Sequence, residues 1–428
     1  MNATLILLIA VFASFVVIGV PIALSLGLAS LIAVFFTTDQ PLLVLMQKVQ
    51  YGADSYLMMA IPLFVLAANI MNKSGVTDRL FRFARAIVGF MPGALGHANI
   101  VASIIFAGMS GSAIADSASL GNIEIKSMKD QGYPTEYAAA VTAASATIGP
   151  IFPPSIPLVI YAGIASVSIG KLFLGGVFPG LILGFTLMVL NHFISVKKHY
   201  PRDEKLTGKQ ILLSLKSAIF PIMAPVILLC GIIFGWFTPT EAAAVIVLYA
   251  FILGFFVYRE LKLSDMPGIF MDTIMTTGIT MFIVAMASAF SYVLTICRIG
   301  DRLTAIAAAM PSKFLFILVV NIILFLLGMV MESTAILIII TPILAPVVNQ
   351  LGIDMVYFGV MMVLNLMIGM CTPPFGMSLF TVSQVAKLPI EKTMKSILPF
   401  IPALVIALIL VAAVPATITW LPTLLIGR

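Results

Sequence analysis

The sequence has few charged residues: Asp, Glu, Lys and Arg make up 9% of its 428 residues, whereas 61% are hydrophobic. Soluble domains carry about 25% charged residues, so a soluble fold is excluded. The composition predicts an all-α polytopic membrane protein that lies in a lipid bilayer. The net charge of +6 then reflects membrane topology, and it does not indicate a nucleic-acid partner.

Cysteine and histidine are equally scarce, with three residues of each type. An odd number of cysteines within or beside apolar segments excludes a disulfide framework and argues against a cysteine metal site. The histidines do not show metal-ligand spacing either. The residues concerned are Cys230, Cys297 and Cys371, and His97, His192 and His199.

The sequence also lacks a phosphate-binding loop. Gly170-Lys171 is followed by Leu172, where such a loop needs Ser or Thr. Any energy source is then an ion gradient or a separate ATPase. Neither a His/Glu metal pair nor a nucleophile and base pair is present, so an intramembrane enzyme is disfavoured and we expect no catalytic activity.

What the chain does have is a proline-rich interruption inside an apolar region. Residues 149–155 read Gly-Pro-Ile-Phe-Pro-Pro-Ser, and a helix cannot continue through them because proline lacks a backbone donor. One such interruption alone is more simply explained as a kink. At bilayer depth, however, non-helical backbone is tolerated only beside protein or a water-filled cavity, as in ion and solute sites of transporters.

The interruption recurs 220 residues later, which predicts two structural repeats, at about residues 56–190 and 272–420. At this shift, Gly149 corresponds to Gly369, Pro153-Pro154 to Pro373-Pro374, and Gly108-Met109 to Gly328-Met329.

A tract of small and polar residues precedes each interruption. Residues 108–117 read Gly-Met-Ser-Gly-Ser-Ala-Ile-Ala-Asp-Ser, and residues 328–334 of the second repeat include Glu332, Ser333 and Thr334. This composition is typical of a re-entrant hairpin tip, where hydroxyls and carbonyls offer oxygen ligands. A small-residue helix-packing interface is the alternative. Asp116 favours the functional reading, since an ionisable residue in an apolar segment is costly unless it is paired or used.

The remaining segments give a coarse topology. Residues 5–36 form an apolar run that breaks near Pro21 and crosses the membrane once or twice. Residues 41–55 and the arginine-rich segment 79–89 read as interfacial helices. Glu124, Lys126, Lys129 and Asp130 are interpreted as a return to water, and residues 397–420 as one closing helix.

Most basic residues fall in loops on one side of this topology, which the positive-inside bias assigns to the cytoplasm. The same loop parity makes repeat one begin from outside and repeat two from inside. The repeats are therefore predicted to be inverted. The bias does not distinguish re-entrant hairpins from double crossings, because both give the same parity.

The motifs Gly-Met-Ser-Gly-Ser-Ala-x-Ala-Asp, Gly-Pro-Ile-x-Pro-Pro-Ser and Thr-Pro-Pro-Phe-Gly are specific, and on them the chain resembles the large membrane subunit of a tripartite ATP-independent periplasmic (TRAP) transporter over nearly its whole length. The resemblance implies an elevator-type transporter of the bacterial inner membrane that is coupled to sodium. It also implies a separate small four-helix membrane subunit and a periplasmic substrate-binding protein.

An elevator requires a moving transport domain and a fixed scaffold. We assign residues 96–167 and 314–385, each a hairpin with a broken helix, to the transport domain. Residues 1–95 and 168–313 are scaffold, and residues 386–428 are a C-terminal scaffold helix.

We place one sodium ion in each repeat, between the tip and the interruption. Backbone carbonyls should dominate, with hydroxyls assisting; each tip serine either binds the ion or caps a hairpin helix. The predicted metal ligands are Ser110, Ser112, Gly149, Phe152, Pro154, Glu332, Ser333, Gly369, Thr372 and Pro374. The predicted substrate-binding residues are Ser110, Ser112, Asp116, Pro154, Ser155, Thr334 and Pro374.

Family substrates are organic anions, and the resemblance favours sialic acid over a C4-dicarboxylate or another sugar acid. The alternative is an autonomous ion-coupled anion carrier that needs no binding protein. Anion binding does not require a buried arginine, because hairpin-helix N-termini and bound sodium supply positive potential.

Overall fold

A computed structural model describes residues 2–427, so Met1 and Arg428, at the ends of the predicted segments 1–95 and 386–428, lie outside it. Within the described range the chain is helical and forms no strand. The first half comprises α1 (Asn2–Ile18), α2 (Ile22–Thr37), α3 (Leu42–Ala53), a 3-10 turn (Tyr56–Met59) that leads into α4 (Ala60–Lys73), α5 (Val76–Val88), α6 (Ala94–Ser110), α7 (Ala113–Asp130), α8 (Thr135–Ala146), α9 (Ile156–Ala165) and α10 (Ile169–Lys198).

The second half comprises α11 (Gly208–Ile233), α12 (Pro239–Ile252) with a π-helical turn (Leu253–Val257), a 3-10 turn (Leu263–Asp265) that leads into α13 (Met266–Ile296), α14 (Ile299–Ala308), α15 (Lys313–Gly328), α16 (Ser333–Gln350), α17 (Met355–Met370), α18 (Met377–Ala386), α19 (Ile390–Ile397), α20 (Ile401–Ala413) and α21 (Ala416–Leu425).

Between residues 2 and 427, six helical segments are long and apolar enough to cross a membrane. A seventh is possible if α19 and α20, which meet at a 52° bend, act as one span. The six are Tyr56–Lys73, Ile169–Lys198, Gly208–Ile233, Pro239–Val257, Leu263–Ile296 and Ser333–Gln350. The predicted polytopic all-α class is confirmed.

The predicted order of hairpin followed by broken helix occurs twice. Helices α6 and α7 meet at a tip before the broken pair α8 and α9, and α15 and α16 do so before α17 and α18. Both interruptions contain a cis prolyl bond, at Pro153–Pro154 and at Pro373–Pro374. The repeat architecture expected from the recurring glycines and prolines is therefore present in the fold.

The two repeats interlock through the second halves of their broken helices. Helix α18 packs against α7 of the first hairpin, and α9 packs against α16 of the second. Each hairpin thus contacts broken helices from both repeats. This packing is compatible with the predicted grouping of 96–167 with 314–385, although the division into moving and fixed segments stays a prediction.

The apolar N-terminal run folds as a helical hairpin. Gly19 has a φ of 88°, in the left-handed region that glycine tolerates, and the chain turns there between α1 and α2. The hydroxyl of Thr37 donates to that of Thr4 at 2.8 Å, so the end of α2 lies beside the start of α1. The predicted break near Pro21 is confirmed, and the run forms two antiparallel helices.

Two sequence predictions need correction. Glu124 does not mark a return to water: it is fully buried, and the amide of Asn99 donates to it at 2.7 Å. Lys126, Lys129 and Asp130 on the same helix are exposed, as expected. The closing segment is not one helix either, because Pro415 cannot donate a helical hydrogen bond and α20 ends at Ala413 before α21 begins.

Helix α5 is a basic amphipathic arm that is fastened at both ends. Near its start, Arg79 pairs with Glu260 at 2.6 Å and lies over the ring of Tyr258. Near its end, Arg85 binds both carboxylate oxygens of Asp203, at 2.7 and 2.9 Å. The arm is thereby joined to the loops that follow α12 and α10.

We expect Asp203→Asn to lower the thermal stability of the purified protein, because it replaces a two-point ion pair with at most one hydrogen bond from Arg85 to an uncharged amide oxygen. Both side chains are partly exposed, so the loss should be about 1 kcal/mol or less. Thermal unfolding in detergent measures it, with Glu204→Gln on the exposed neighbouring residue as the control. Equal unfolding midpoints for the two variants would contradict the role of the pair.

Candidate functional site

The first hairpin tip lies directly against the first interruption. Gly111 ends α6 in the left-handed conformation with a φ of 62°. A Cβ added to Gly111 would lie 2.7 Å from the carbonyl oxygen of Pro154 and 3.2 Å from the nitrogen of Ile156. Only glycine allows this close approach of two backbone segments. The predicted contact between tip and interruption is therefore present in repeat one.

Asp116 lies in the first turn of α7 and points toward the interruption. It is 2% exposed, and its Oδ1 accepts a hydrogen bond from the hydroxyl of Ser110. Its Oδ2 lies over Gly149, at the position that a Cβ on this glycine would occupy, and has no hydrogen-bond partner within residues 2–427. A buried carboxylate oxygen without a donor leaves a place for a cation.

The interruption supplies further oxygens. Because residues 147–155 leave the helical path, the carbonyls of Gly149, Phe152 and Pro154 accept no backbone N–H in the described part of the chain. The hydroxyl of Ser155 donates to the carbonyl of Pro150 and also caps α9, accepting from the nitrogen of Leu158 at 3.2 Å. Free carbonyls beside a polar tip fit a small monovalent cation such as sodium.

The tip serines already hold the local backbone. The Ser112 hydroxyl caps α7 by accepting from the nitrogen of Ala115 at 3.4 Å, and the nitrogen of Ser112 donates to the Ser110 hydroxyl at 3.2 Å. Capping, the alternative role for these serines, is therefore seen for Ser112. A hydroxyl has two lone pairs, so capping does not prevent Ser112 from also binding an ion.

The second tip meets the second interruption by a different contact. Gly328 and Gly369 approach backbone to backbone, such that a Cβ on Gly369 would lie 2.7 Å from the Cα of Gly328. The nitrogens of Phe375 and Gly376 donate to the carbonyl of Met329 at 3.3 and 3.4 Å. Gly108, the sequence counterpart of Gly328, instead faces Pro225 of α11, so the matched glycines do not have matched roles.

Most of the predicted ligands in the second repeat carry hydrogen bonds. Glu332 caps α16 by accepting from the nitrogen of Ala335 at 2.9 Å, and the Ser333 hydroxyl donates to the carbonyl of Leu366 at 3.1 Å. The carbonyl of Gly369 accepts from the nitrogen of Thr372, whose hydroxyl donates to Ile368. The carbonyl of Pro374, by contrast, accepts no backbone N–H in the described part of the chain. The first repeat differs in its buried carboxylate oxygen without a partner, Oδ2 of Asp116.

A central cavity of about 760 Å³ joins the two tips. Residues 110–115 of the first tip, with Glu332 and Thr334 of the second, form one wall, and α2, α4 and α13 form the other. Glu332 is the one charged residue that lines it, and no Lys, Arg or His from residues 2–427 does so. The cavity is large enough for a small organic solute.

The predicted substrate residues divide into two groups around this cavity. Ser110, Ser112 and Thr334 line it. The lining does not include the other four: Asp116 and Ser155 are buried behind it, the carbonyl of Pro154 faces Gly111, and Pro374 is exposed. Contact of any of them with a substrate stays a prediction.

Sequence reasoning missed the polar residues of the opposite wall, which are Asn69 on α4 and Thr276 and Thr280 on α13. The amide of Asn69 donates to the hydroxyl of Thr273 at 3.0 Å, joining the two helices. One signal in the sequence could have indicated this wall: Asn69 is a polar residue within the apolar segment 56–71, which was predicted to span the membrane. Groups of three or more His, Cys, Asp or Glu that could hold a metal are absent from residues 2–427.

Comparison with known proteins identifies the family. Residues 9–417 match the model of the tripartite ATP-independent periplasmic transporter, DctM component. A solved structure of the YdaH transporter of Alcanivorax borkumensis shares the fold, with a TM-score of 0.61 over 96% of this chain and 98% of that one. At 12% identity this likeness concerns the fold alone.

Individual relatives agree along almost the whole length. The chain is 41% identical to the sialic acid TRAP transporter large permease protein SiaM of Vibrio cholerae, over 96% of each chain. It is 38% identical to the sialic acid TRAP transporter permease protein SiaT of Haemophilus influenzae, covering 96% of this chain and 67% of that one. It is 39% identical to the C4-dicarboxylate TRAP transporter large permease protein DctM of Vibrio cholerae, over 96% of each chain.

These matches cover both hairpins and both interruptions, and the relatives are transporter permeases. The chain therefore belongs to the DctM family of tripartite ATP-independent periplasmic transporter components, as a multi-pass protein of the bacterial inner membrane.

Proposed function

We propose that this protein is the large subunit of a sodium-coupled secondary transporter that imports an organic anion, with sialic acid favoured. The observation that carries the proposal is the cavity between the two hairpin tips, which the N-termini of α7, α9 and α16 reach. Substrate would bind there after delivery by a periplasmic binding protein.

The charge of the cavity supports cation coupling. The N-termini of α7 and α9 reach the cavity and favour an anion, whereas Glu332 both repels an anion and occupies the N-terminus of α16. An organic anion beside Glu332 without a counter-cation would be costly at bilayer depth. Sodium bound at the tips would supply the missing positive charge.

The order of similarity supports sialic acid. The relative named for sialic acid in Vibrio cholerae is 41% identical, and the one named for C4-dicarboxylates in the same organism is 39% identical. This difference is small. The substrate is therefore proposed from family resemblance and from a cavity that exceeds the size of a C4-dicarboxylate.

Membership of a tripartite family supports the two predicted partners, a small four-helix membrane subunit and a periplasmic binding protein. It weighs against the alternative of an autonomous anion carrier. The elevator mechanism is proposed because hairpins and broken helices of both repeats pack on one another and could move as one body.

Sodium coupling predicts that Gly111→Ala raises the half-saturating sodium concentration about tenfold. A side chain at this left-handed residue costs about 1 to 2 kcal/mol, and its Cβ would push away the Pro154 carbonyl. Uptake by proteoliposomes over a sodium series measures the change. Gly278→Ala is the control, since a Cβ there meets no atom within 4 Å. Uptake that proceeds equally well in potassium would refute sodium coupling altogether.

The substrate proposal predicts that proteoliposomes holding both membrane subunits take up labelled sialic acid only when its binding protein is added. An excess of unlabelled C4-dicarboxylate should not compete, because delivery depends on the loaded binding protein. Uptake without the binding protein would support the autonomous carrier, and competition by the dicarboxylate would overturn the substrate choice.

The elevator predicts different effects of two engineered disulfides in a chain whose native Cys230, Cys297 and Cys371 are replaced. Met58 of the predicted scaffold touches Gly163 of the predicted transport domain, so a Met58→Cys and Gly163→Cys bridge should stop turnover. Gly121 and Val385 lie close together inside the transport domain, and their bridge should leave turnover intact. Turnover measured before and after a reductant is added shows the effect of each bridge. Turnover that survives the first bridge would contradict the two-body assignment.

A further inference from the structure

Glu124 is an unexplained carboxyl in the middle of the first hairpin. It lies on α7, eight residues after Asp116, and its exposed fraction is 0%. The amide of Asn99 on α6 donates to its Oε2 at 2.7 Å. Its Oε1 is buried and has no hydrogen-bond partner among the described residues. The first tip and interruption, where we place sodium, do not include it.

Glu124 belongs to a polar network that ties three helices together. The Asn99 amide also donates to the Thr142 hydroxyl at 2.7 Å, and the Ser145 hydroxyl donates to the Asn99 carbonyl oxygen at 2.6 Å. All four residues are buried. Among the buried side-chain polar atoms of these four residues, Oε1 of Glu124 therefore stands out as the one without a hydrogen-bond partner.

The second repeat contains a related polar link. Asn365 on α17 matches Ser145 at the repeat shift, and Asn321 on α15 lies two residues after the position that matches Asn99. The Asn365 amide donates to the Asn321 side-chain oxygen at 2.7 Å. At the repeat shift, Glu124 corresponds to Leu344, and Thr142 to Met362. In the second repeat, the link between a hairpin helix and a broken helix is thus built from neutral residues. The carboxyl in the first repeat has no counterpart there.

An ionised Glu124 would be unpaired. None of the ion pairs formed within residues 2–427 includes it. The helices packed against α7 are α5, α6, α8 and α18, and no charged or titratable side chain on them donates to Glu124. The charged or titratable residues on the packed helices are Asp78, Arg79, Arg82, Arg85, His97, Glu136 and Tyr137, and Lys387 lies just after α18. Those on α7 itself, besides Glu124, are Asp116, Lys126, Lys129 and Asp130. A buried unpaired carboxylate is costly enough that it must hold a cation or a proton.

The surroundings distinguish these two occupants. Sodium requires a cage of several oxygens, which helix interruptions provide through free carbonyls. Asn99, Glu124 and Thr142 all lie inside uninterrupted helices, whose carbonyls accept helical N–H groups. A proton requires a single oxygen. We propose that Glu124 is a proton-binding site in the first hairpin, where it is held as a neutral carboxylic acid and does not bind sodium.

Infrared difference spectroscopy of the full chain in lipid vesicles tests this proposal. Subtracting Glu124→Gln from the wild type at neutral pH should reveal the carbonyl band of one carboxylic acid per chain, unchanged when choline replaces sodium. Loss of carboxylate bands instead, or a band that changes with sodium, would overturn the proposal. Asp130→Asn, at the exposed end of the same helix, is the matched control and should remove carboxylate bands.

Thermal unfolding provides a second measurement that does not depend on band assignment. If Glu124 is neutral, Gln preserves its shape and its hydrogen bond from Asn99, so Glu124→Gln should keep the wild-type midpoint. Glu124→Leu introduces the residue type found at the matched position of the second repeat. It leaves the Asn99 amide with one acceptor fewer, so it should lower the unfolding midpoint. A Gln variant as unstable as the Leu variant would contradict a neutral acid. Neither outcome depends on sodium coupling or on the substrate.

Discussion

Each half of the protein contains a helix that is interrupted by prolines within an apolar region, and a bilayer offers no water to the backbone groups that the interruption frees. In repeat two the tip meets part of this need, because the carbonyl of Met329 accepts from the nitrogens of Phe375 and Gly376. In repeat one Gly111 brings the tip onto Pro154, whose carbonyl accepts no backbone N–H. The hairpins and the broken helices of both repeats pack on one another. The cavity lies where the two tips converge.

Both repeats must accommodate the backbone groups that an interruption frees, but they do so with different residues. The difference decides which oxygens remain without donors. Repeat one keeps carbonyls and an Asp116 oxygen without donors, whereas repeat two uses Gly369 and Thr372 in hydrogen bonds of its own. Unsatisfied buried oxygens are tolerated in a native protein when an ion completes them. At the proposed sodium sites, the first repeat therefore offers oxygens without donors, whereas Gly369 and Thr372 of the second repeat already take part in hydrogen bonds.

Sequence reasoning located the hairpins, the interruptions and the repeat shift because glycine and proline act locally, through backbone conformation. It failed where a partner lies far along the chain. Glu124 stands beside Lys126 and Lys129, so its neighbours in sequence suggested water, but its hydrogen-bond partner is 25 residues away on another helix. The cavity wall formed by Asn69, Thr276 and Thr280 was missed for the same reason. Gly108 and Gly328 are matched by the 220-residue shift, but the sequence did not indicate that they face different neighbours.

The charge of the central cavity is the physical basis of the proposed coupling between solute and cations. Glu332 stabilises the start of α16 and in doing so places a carboxylate on the path of an anionic solute. Removing the charge of Glu332 by substitution would end its repulsion of an anionic solute. It would also leave the first turn of α16 without its cap. In the proposed mechanism, retaining the Glu332 charge makes a cavity without sodium unfavourable for the anion, and bound sodium would offset this charge. If Glu124 is neutral, the first hairpin adds no further negative charge at that level. In the proposed elevator, the net charge of the moving unit is then set by the solute, the tip carboxylates and the bound sodium, and ion binding would decide when the loaded unit crosses.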